Sequence, residues 1–313
     1  MSNTEMKEYK IGVMYTAVAY IAWGVLPLYW KLLDHISPVE ILAHRILWSL
    51  VFVIGLILVS NKVKLLLSNL KAIFSNKIKL FGIVASSVLI SINWATYIWA
   101  VNSDHIIEAS LGYYINPLVS VLLGILVLKE RLLFWQGISF ILAAIGVLIL
   151  TVQYGSFPWV AFILAISFGI YGLTKKLTKL DSLIGLTMET MVVAPIALIY
   201  LAWLYRGGVD SFSVAPFDVK LLLLGAGIAT ALPLLWFASG ANRIPLSMVG
   251  ILQYIAPTIS LLIGVFLYHE HFTKAHLLTF VCIWTALLIY SFSKTKLLTA
   301  IQPKFPKNKS LGA

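Results

Sequence analysis

Apolar residues along this chain are grouped into ten long runs, which short polar connectors separate. Each run holds roughly the 20 apolar residues that a helix needs to cross a bilayer core about 30 Å thick. The pattern therefore predicts an all-α polytopic membrane protein, and no stretch between the runs is long enough for a soluble domain. The predicted spans are 11–30, 39–60, 80–101, 107–128, 132–152, 157–174, 182–205, 220–240, 246–268 and 275–293.

The overall composition agrees with a chain that is surrounded by lipid. Hydrophobic residues make up 60% of it, charged residues only 11%, and its mean hydropathy is +0.95. A soluble globular domain has about 25% charged residues. The lipid bilayer is therefore the expected environment of the chain.

The net charge of +11 is distributed unevenly between the connectors. On the side that holds both termini we count 18 of the 23 Lys and Arg residues, whereas the opposite connectors hold four. Basic residues collect in cytoplasmic loops, so the asymmetry predicts that residues 1–10 and the basic tail 294–313 are both cytoplasmic. The positive charge is thus a signal of topology, and we expect no nucleic-acid partner.

Motifs of other function classes are missing from the sequence. The segment His269-Glu270-His271 departs from the H-E-x-x-H zinc motif because position 273 is Thr. Neither G-x-S-x-G nor the phosphate-binding G-x-x-x-x-G-K-[ST] occurs, and the single cysteine, Cys282, allows no intramolecular disulfide. We therefore expect no catalytic residues, no metal and no cofactor.

Two stretches 140 residues apart share one design. Residues 111–131 read LGYYINPLVSVLLGILVLKER, and residues 251–271 read ILQYIAPTISLLIGVFLYHEH. The matched positions are Tyr114 and Tyr254, Pro117 and Pro257, Ser120 and Ser260, Gly124 and Gly264, and Glu130 and Glu270. At an offset of 145, Trp23-Gly24 also falls on Phe168-Gly169. The halves 11–152 and 157–293 then contain five helices each, and an odd number inverts the second half in the membrane, as in many secondary transporters.

Each repeated stretch carries its polar and aromatic residues on one helix face, which we expect to point inward. A proline inside a helix frees a backbone carbonyl, and in hydrocarbon such a group must be covered by protein or by water. The small residues after the proline favour close helix packing. The alternative is that the proline only bends the helix. Substrate-contacting candidates on these faces are Tyr113, Tyr114, Asn116, Pro117, Gln253, Tyr254 and Pro257.

Ionisable residues within the predicted spans are candidates for coupling or gating, because each costs roughly 2.5–3.5 kcal/mol to insert. His44 and Arg45 lie in the second span and Glu189 in the seventh. Arg45 would receive an anionic substrate or cover an outer gate, and Glu189 would bind a proton that couples transport. The alternatives are a snorkelling arginine and a structural, hydrogen-bonded glutamate. The estimated difference in depth argues against a direct ion pair between Arg45 and Glu189.

Aromatic and polar residues crowd the first and third spans. The deeper ones are candidates for the substrate cavity or for core packing, and these are Trp23, Asn93, Trp94 and Tyr97. Tyr29, Trp30 and Trp99 lie nearer the span ends, where aromatic residues form interfacial belts. Glu130 and Glu270 follow helix ends, and we expect them to anchor neighbouring loop amides or lysines. The connector KVKLLLSNLKAIFSNKIK is either an interfacial helix or a plain basic loop.

Three segments resemble RarD-type members of the EamA family, in the drug/metabolite transporter superfamily. They are AYIAWGVLPLYWK (19–31), ILAHRILWS (41–49) and VNSDHIIEASLGYYINPLVSVLLGILVLKER (101–131), and the similarity extends over essentially the whole chain. The resemblance implies ten helices in two halves, a bacterial inner membrane, and transport of small organic solutes. It also implies a central cavity lined by the first four helices of each half, with peripheral fifth helices that would offer a homodimer interface.

The predicted function is therefore a secondary transporter, an exporter or permease of small organic metabolites or drugs. Transport would proceed by alternating access, and protons would be the candidate coupling ion. The alternatives are a membrane scaffold or receptor that moves no solute, and an intramembrane enzyme. Movement of a labelled solute into liposomes by the purified protein separates the transporter from the scaffold.

Overall fold

The computed structural model describes residues 3–102, 105–267, 273–293, 295 and 301, and these residues form thirteen helices. In the first half the helices are α1 (Asn3–Lys31), α2 (Pro38–Val59), α3 (Val63–Phe74), α4 (Lys77–Asn102), α5 (Ile106–Leu126) and α6 (Phe134–Tyr154). In the second half they are α7 (Trp159–Thr178), α8 (Ser182–Arg206), α9 (Ser211–Val214), α10 (Phe217–Ala241), α11 (Leu246–Gln253), α12 (Ile255–Leu267) and α13 (Lys274–Phe292).

The predicted membrane spans all appear as helices in the described part of the chain. Nine are long and apolar enough to cross a bilayer, and the tenth, α5, contributes the shorter apolar helix Leu111–Leu126. Helices α11 and α12 form one of the nine spans, which is interrupted at Tyr254, three residues before Pro257. Helix α5 continues through the matching Pro117. The two repeated prolines therefore have unequal effects on their helices.

The basic connector after α2 is a helix rather than a plain loop. Helix α3 buries Ile73 and packs Leu66 and Leu70 against a cluster that includes Ile184 of α8. Phe74 lies off this contact and is 72% exposed. Leu66, Leu70 and Ile73 therefore attach α3 to the second half of the protein.

Helix α7 extends one turn beyond its predicted end, and this corrects one sequence interpretation. The predicted span 157–174 leaves Lys175 and Lys176 among the 18 basic residues of the connectors and tails, but both lie in the last turn of α7. The side chain of Lys175 is buried. It is therefore part of the membrane-embedded core and not a free topology charge.

The inverted repeat is visible in two matching helix crossings. A Cβ atom on Gly24 of α1 would lie 2.7 Å from the Cβ of Ile259 in α12, and one on Gly169 of α7 would lie 2.8 Å from Cγ1 of Val119 in α5. Gly24 and Gly169 are related by the offset of 145, and Val119 and Ile259 by the offset of 140. Each half thus packs its first helix against the fourth helix of the other half, and only glycine permits the close approach.

The fifth helices of the halves, α6 and α13, pack against each other at the side of this arrangement. The Thr279 hydroxyl of α13 donates a hydrogen bond of 2.8 Å to the Gly146 carbonyl of α6. Large apolar side chains remain exposed on both helices, including Ile141, Leu148 and Leu288. These exposed faces suit contact with lipid, and a homodimer through them remains a prediction.

Glu130 anchors loop amides, as its position after α5 predicted. Its carboxylate accepts hydrogen bonds of 2.6 and 2.9 Å from the backbone N–H groups of Leu246 and Ser247, at the start of α11. A carboxylate at a helix N-terminus is stabilised by the unpaired N–H groups and the helix dipole. Glu130 therefore ties the connector between α5 and α6 of the first half to the start of α11 in the second half. The matching Glu270 lies outside the described residues.

Candidate substrate-binding cavity

Arg45 lies where several helices of both halves converge. It projects from α2, and its Nε donates a hydrogen bond of 2.9 Å to the Thr230 hydroxyl of α10. Its guanidinium carbon lies 4.4 Å from the ring centroid of Trp30 in α1 and 5.4 Å from that of Trp94 in α4. Two aromatic rings therefore hold the charged group by cation–π contact, in a region that would otherwise disfavour a cation.

Tyr97 of α4 and Tyr113 of α5 border the same space as Arg45. Their ring centroids are 6.1 Å apart, and both are near enough for electrostatic interaction with the guanidinium. They are nevertheless 37% and 46% exposed. Since they face an arginine that is held by α1, α4 and α10, this exposure indicates a cavity that opens between the helices. Counting residues from the helix ends places Arg45 and Tyr113 roughly 10 Å below the membrane face opposite the termini.

An aromatic cluster closes the space on the side of the termini. Its members are Tyr20, Trp23, Phe168, Tyr171 and Phe237, whose neighbouring ring centroids are 5.3–6.2 Å apart. The cluster draws on α1, α7 and α10, so both halves contribute. Tyr20, Tyr171 and Phe237 are at most 1% exposed. Trp23, a predicted cavity residue, is partly buried and belongs to this floor.

Beyond the aromatic floor, Glu189 forms a buried ion pair with Lys175. The carboxylate oxygen Oε2 lies 2.7 Å from Nζ of Lys175, and the side chains are 4% and 7% exposed. The other oxygen accepts a hydrogen bond of 2.6 Å from the Ser86 hydroxyl, and Oε2 also accepts one of 3.3 Å from Tyr171. Helices α4, α7 and α8 are thereby tied together on the side of the termini. Arg45 and Glu189 have separate partners, as their estimated depths predicted.

A small cavity lies next to this ion pair, towards the connectors. Its volume is about 10 Å³, which is room for about one water molecule, and Lys175, Glu189, Asp181 and Asn242 contribute to its wall. Asp181 caps α8 and forms an ion pair of 2.9 Å with Lys62. Burial tends to raise the pKa of Asp181, but the hydrogen bonds from Lys62 and from two backbone N–H groups of α8 lower it below its ordinary value. A second, more exposed ion pair thus lies outside the first.

The structure does not bring the repeated tyrosines Tyr114 and Tyr254 to the cavity. Both pack in a cluster with Ala143 of α6 and Ile283 of α13, and Tyr254 is 1% exposed. The Tyr254 hydroxyl is buried and has no hydrogen-bond partner among the residues that the structure describes. Tyr113, the neighbour of Tyr114, faces Arg45 instead, so adjacent tyrosines of one motif face different surroundings.

The remaining positions of the repeated motif lie where α5 and α11 pack against each other. The Ser120 hydroxyl donates a hydrogen bond of 3.4 Å to the side-chain oxygen of Gln253. A Cβ on Gly250 would lie 2.7 Å from the Pro117 carbonyl oxygen. Asn116 is buried with its Oδ1 unpartnered, and Pro257 is buried at the start of α12. This end of the motif therefore serves helix packing.

His44 and Asn93 occupy structural positions next to the cavity helices. The His44 ring stacks on Phe212, at a centroid distance of 5.2 Å, and its Nδ1 accepts a hydrogen bond of 3.3 Å from Trp48. The Asn93 side chain of α4 donates hydrogen bonds of 2.8 and 3.0 Å to Leu164 and Ser167 of α7. Both side chains connect neighbouring helices.

Sequence reasoning missed three partners of the ionisable groups. Thr230 carries no signal beyond being polar in a span, and Trp30 was assigned to the interfacial belt although it covers Arg45. Lys175 was placed in a loop. A signal for it did exist, because the offset of 145 aligns Lys175 with Trp30 as well as Glu189 with His44, the neighbour of Arg45. The repeat therefore aligns Trp30, which covers Arg45, with Lys175, which pairs with Glu189, although the two side chains differ in chemistry.

Comparison with known proteins agrees with this arrangement. The model of the EamA-like transporter family matches residues 10–152 and 157–292. The chain is 54% identical to "Uncharacterized transporter YojE" of Bacillus subtilis, over 92% of this chain and 96% of the relative. It is 40% identical to "Protein RarD" of Escherichia coli over 91% and 95%, and 29% identical to "Chloramphenicol-sensitive protein RarD" of Pseudomonas aeruginosa over 92% and 95%.

The fold likewise matches a solved crystal structure. That structure superimposes with a TM-score of 0.67 at 16% identity, covering 93% of this chain and 99% of the other, which supports the fold alone. The family match covers both five-helix halves. The chain is therefore a multi-pass membrane transporter that belongs to the EamA-like transporter family.

Proposed function

We propose that the protein is a secondary transporter of small organic metabolites or drugs, which works by alternating access in a bacterial inner membrane with both termini in the cytoplasm. One relative is named a chloramphenicol-sensitive protein, and this link to a drug phenotype supports a small organic solute. The excess of basic residues on the side of the termini supports the orientation. Substrate would enter the space bordered by Arg45, Trp94, Tyr97 and Tyr113.

The observation that carries this proposal is the unequal sealing of the two ends of the cavity. Towards the termini, Tyr20, Tyr171 and Phe237 of the aromatic floor are at most 1% exposed, and the side chains of the Glu189–Lys175 ion pair are 4% and 7% exposed. Towards the opposite face, Tyr97 and Tyr113 are well exposed beside Arg45. A transporter that alternates access must close one end while the other is open. With both termini in the cytoplasm, as proposed, this conformation would be the outward-open state.

Glu189 is the proposed proton-coupling residue. Protonation removes its negative charge and so removes the attraction that holds Lys175 and α7 against α4 and α8. The small cavity beside the ion pair gives a water molecule room between Glu189 and the connector residues Asp181 and Asn242. A proton arriving from the side of the termini would therefore open that side.

The test has two steps. The transported solutes are identified first, and the cavity is then blocked chemically to see whether transport stops. Metabolite profiles of cells that lack the protein and of cells that overproduce it would identify the solutes, whose movement is then measured in proteoliposomes. A single cysteine replacing Tyr113, on a Cys282→Ser background, should make transport sensitive to a membrane-impermeant thiol reagent. Ser213→Cys provides the matched control, since Ser213 is exposed on a connector and its modification should leave transport unchanged.

Two outcomes would contradict the proposal. If the metabolite profiles are identical and the reconstituted protein moves none of the solutes tested, the chain is a scaffold or receptor. If solutes move but modification of Tyr113→Cys has no effect, transport does not pass through this cavity.

A further inference from the structure

Arg45 is the charged group in the cavity whose charge the protein does not neutralise. Among the side chains that the structure describes, no carboxylate lies within salt-bridge distance of its guanidinium. Among the other buried ionisable residues, Glu189 and Lys175 neutralise each other, and the Glu40 carboxylate accepts hydrogen bonds from the backbone N–H and the hydroxyl of Ser211. A lone cation in a membrane-embedded space is costly, and such groups mark the paths of substrates and ions.

The contacts of Arg45 leave the two terminal nitrogens of its guanidinium group available to a ligand. A guanidinium group has five N–H donors, of which only the Nε–H is used, in the bond to Thr230. Trp30 and Trp94 approach the guanidinium through their rings, and ring contacts do not satisfy N–H donors. The two terminal nitrogens therefore keep a planar fork of N–H groups without a protein acceptor among the described side chains. This fork matches the two oxygens of a carboxylate.

We propose that Arg45 is the recognition point for a substrate carboxylate, so that the transported solutes are organic acids with a flat aromatic or conjugated group. The inference rests on the proposed function and names its substrate class. The carboxylate would bind the free edge of the guanidinium in a bidentate manner. The flat group would lie against the exposed rings of Tyr97 and Tyr113, which form the adjoining wall.

This assignment also explains how binding would control closure. Closing the open end around an empty site would bury an unpaired cation, which is strongly unfavourable. A bound carboxylate neutralises the cation, and closure then buries a paired group. The substrate charge would therefore permit the conformational change, whereas a neutral analogue of the same shape would not.

The test compares acids with neutral analogues of the same ring system. Thermal unfolding of the purified full-length protein would be measured with phenylacetate, 4-hydroxyphenylacetate, 3-phenylpropionate and indole-3-acetate, and with the methyl ester of each. At least one acid should raise the unfolding temperature saturably, and its ester should not. Arg45→Gln should weaken that binding about 10- to 150-fold, as expected for loss of charge-assisted hydrogen bonds. Arg45→Lys should retain part of it.

Arg243→Gln is the matched control, because Arg243 pairs with Glu8 on the other side of the protein and should not affect binding. The assignment fails if no acid binds, if an ester binds as tightly as its acid, if phenyl phosphate binds more tightly than every acid, or if Arg45→Gln binds like wild type. The acid and ester comparison needs only the wild-type protein, so it decides the matter even if Arg45→Gln does not fold. If the protein transports solutes but binds none of the acids, the carboxylate assignment is wrong and the proposed transport function still holds.

Discussion

Replacing Glu189 with Gln should shift the protein away from the state that is sealed towards the termini. In that state Lys175 is buried, and among the described residues its Nζ has one further favourable electrostatic contact, the Tyr171 ring 5.4 Å away. Without the carboxylate charge, the sealed state holds an ammonium group that lacks its counter-ion. Opening exposes Lys175 to water and relieves this cost, so the variant should favour the open conformation.

The size of the shift follows from the geometry of the ion pair. Loss of one partner from a fully buried ion pair costs about 3–5 kcal/mol. The amide oxygen of Gln can take the place of Oε2 beside Lys175, and the amide N–H can donate to the Ser86 hydroxyl, so the loss is closer to that of charge assistance, about 1.5–3 kcal/mol. Every 1.4 kcal/mol changes an equilibrium about tenfold. The ratio of open to sealed protein should therefore rise about 10- to 150-fold.

A buried cysteine in α4 can report this shift. Ser87 is 0% exposed, and its hydroxyl contacts the Glu189 carbonyl at 3.4 Å, so separation of α4 from α8 would expose it. On a Cys282→Ser background, the labelling rate of Ser87→Cys should follow the open fraction when opening is fast relative to labelling. Glu189→Gln should accelerate labelling, and Arg243→Gln, which breaks an exposed ion pair, should not.

The double variant gives the decisive comparison. Glu189→Gln combined with Lys175→Met removes both charges and should return the labelling rate towards that of the parent, because no unpaired charge remains in the sealed state. This coupling between the two positions is the signature of a direct interaction. The reasoning is refuted if neither Glu189→Gln nor Lys175→Met alone changes the labelling rate. It is also refuted if the effects of the two single variants simply add in the double variant.

Three further predictions concern topology and packing. With membrane-impermeant reagents, Ser213→Cys should label in intact cells and Ser68→Cys only after the cells are opened; the reverse pattern would contradict the orientation. Gly227→Ala should destabilise the protein by about 1–3 kcal/mol in thermal unfolding, because a Cβ there would lie 2.3 Å from the Trp48 carbonyl carbon, whereas Gly137→Ala, in open space, should not destabilise it. Tyr254→Phe should leave thermal stability unchanged or raise it, since it removes a buried hydroxyl that has no partner; a clear loss would indicate a missing partner.

Most of the fold could be predicted because a bilayer constrains it strongly. Helix length is fixed by membrane thickness, and all backbone groups must be paired within the helix, so apolar runs alone locate the spans. The repeat then predicts the inversion, which the matched crossings of Gly24 and Gly169 display. The end of α7 was predicted one turn too early because Lys175 and Lys176 read as the start of a connector, whereas an ion pair allows Lys175 to stay within the membrane.

The candidate site was harder to predict because helix rotation decides which neighbours meet. Tyr113 and Tyr114 are one position apart in sequence and therefore about 100° apart around the helix. As a result Tyr113 lies beside Arg45, whereas Tyr114 packs against α6 and α13. The helix face that the sequence predicts is about 120° wide and includes both tyrosines, so the prediction cannot tell which of them faces Arg45. Trp30 could not be separated from an interfacial aromatic residue, because only the position of Arg45 on another helix gives it a partner.

The two glycine crossings have a mechanical consequence. At each crossing a glycine of one half lies against a β-branched side chain of the other, Gly24 against Ile259 and Gly169 against Val119. A helix without a Cβ at the contact presents a smooth backbone ridge, on which the partner can tilt without withdrawing an interlocked side chain. Both crossings lie between the two halves, so under the proposed alternating access they would act as a pair of fulcrums. Rocking about them would lengthen the distance between helices at one membrane face and shorten it at the other, so that a single lever motion would move both ends of the cavity in opposite directions.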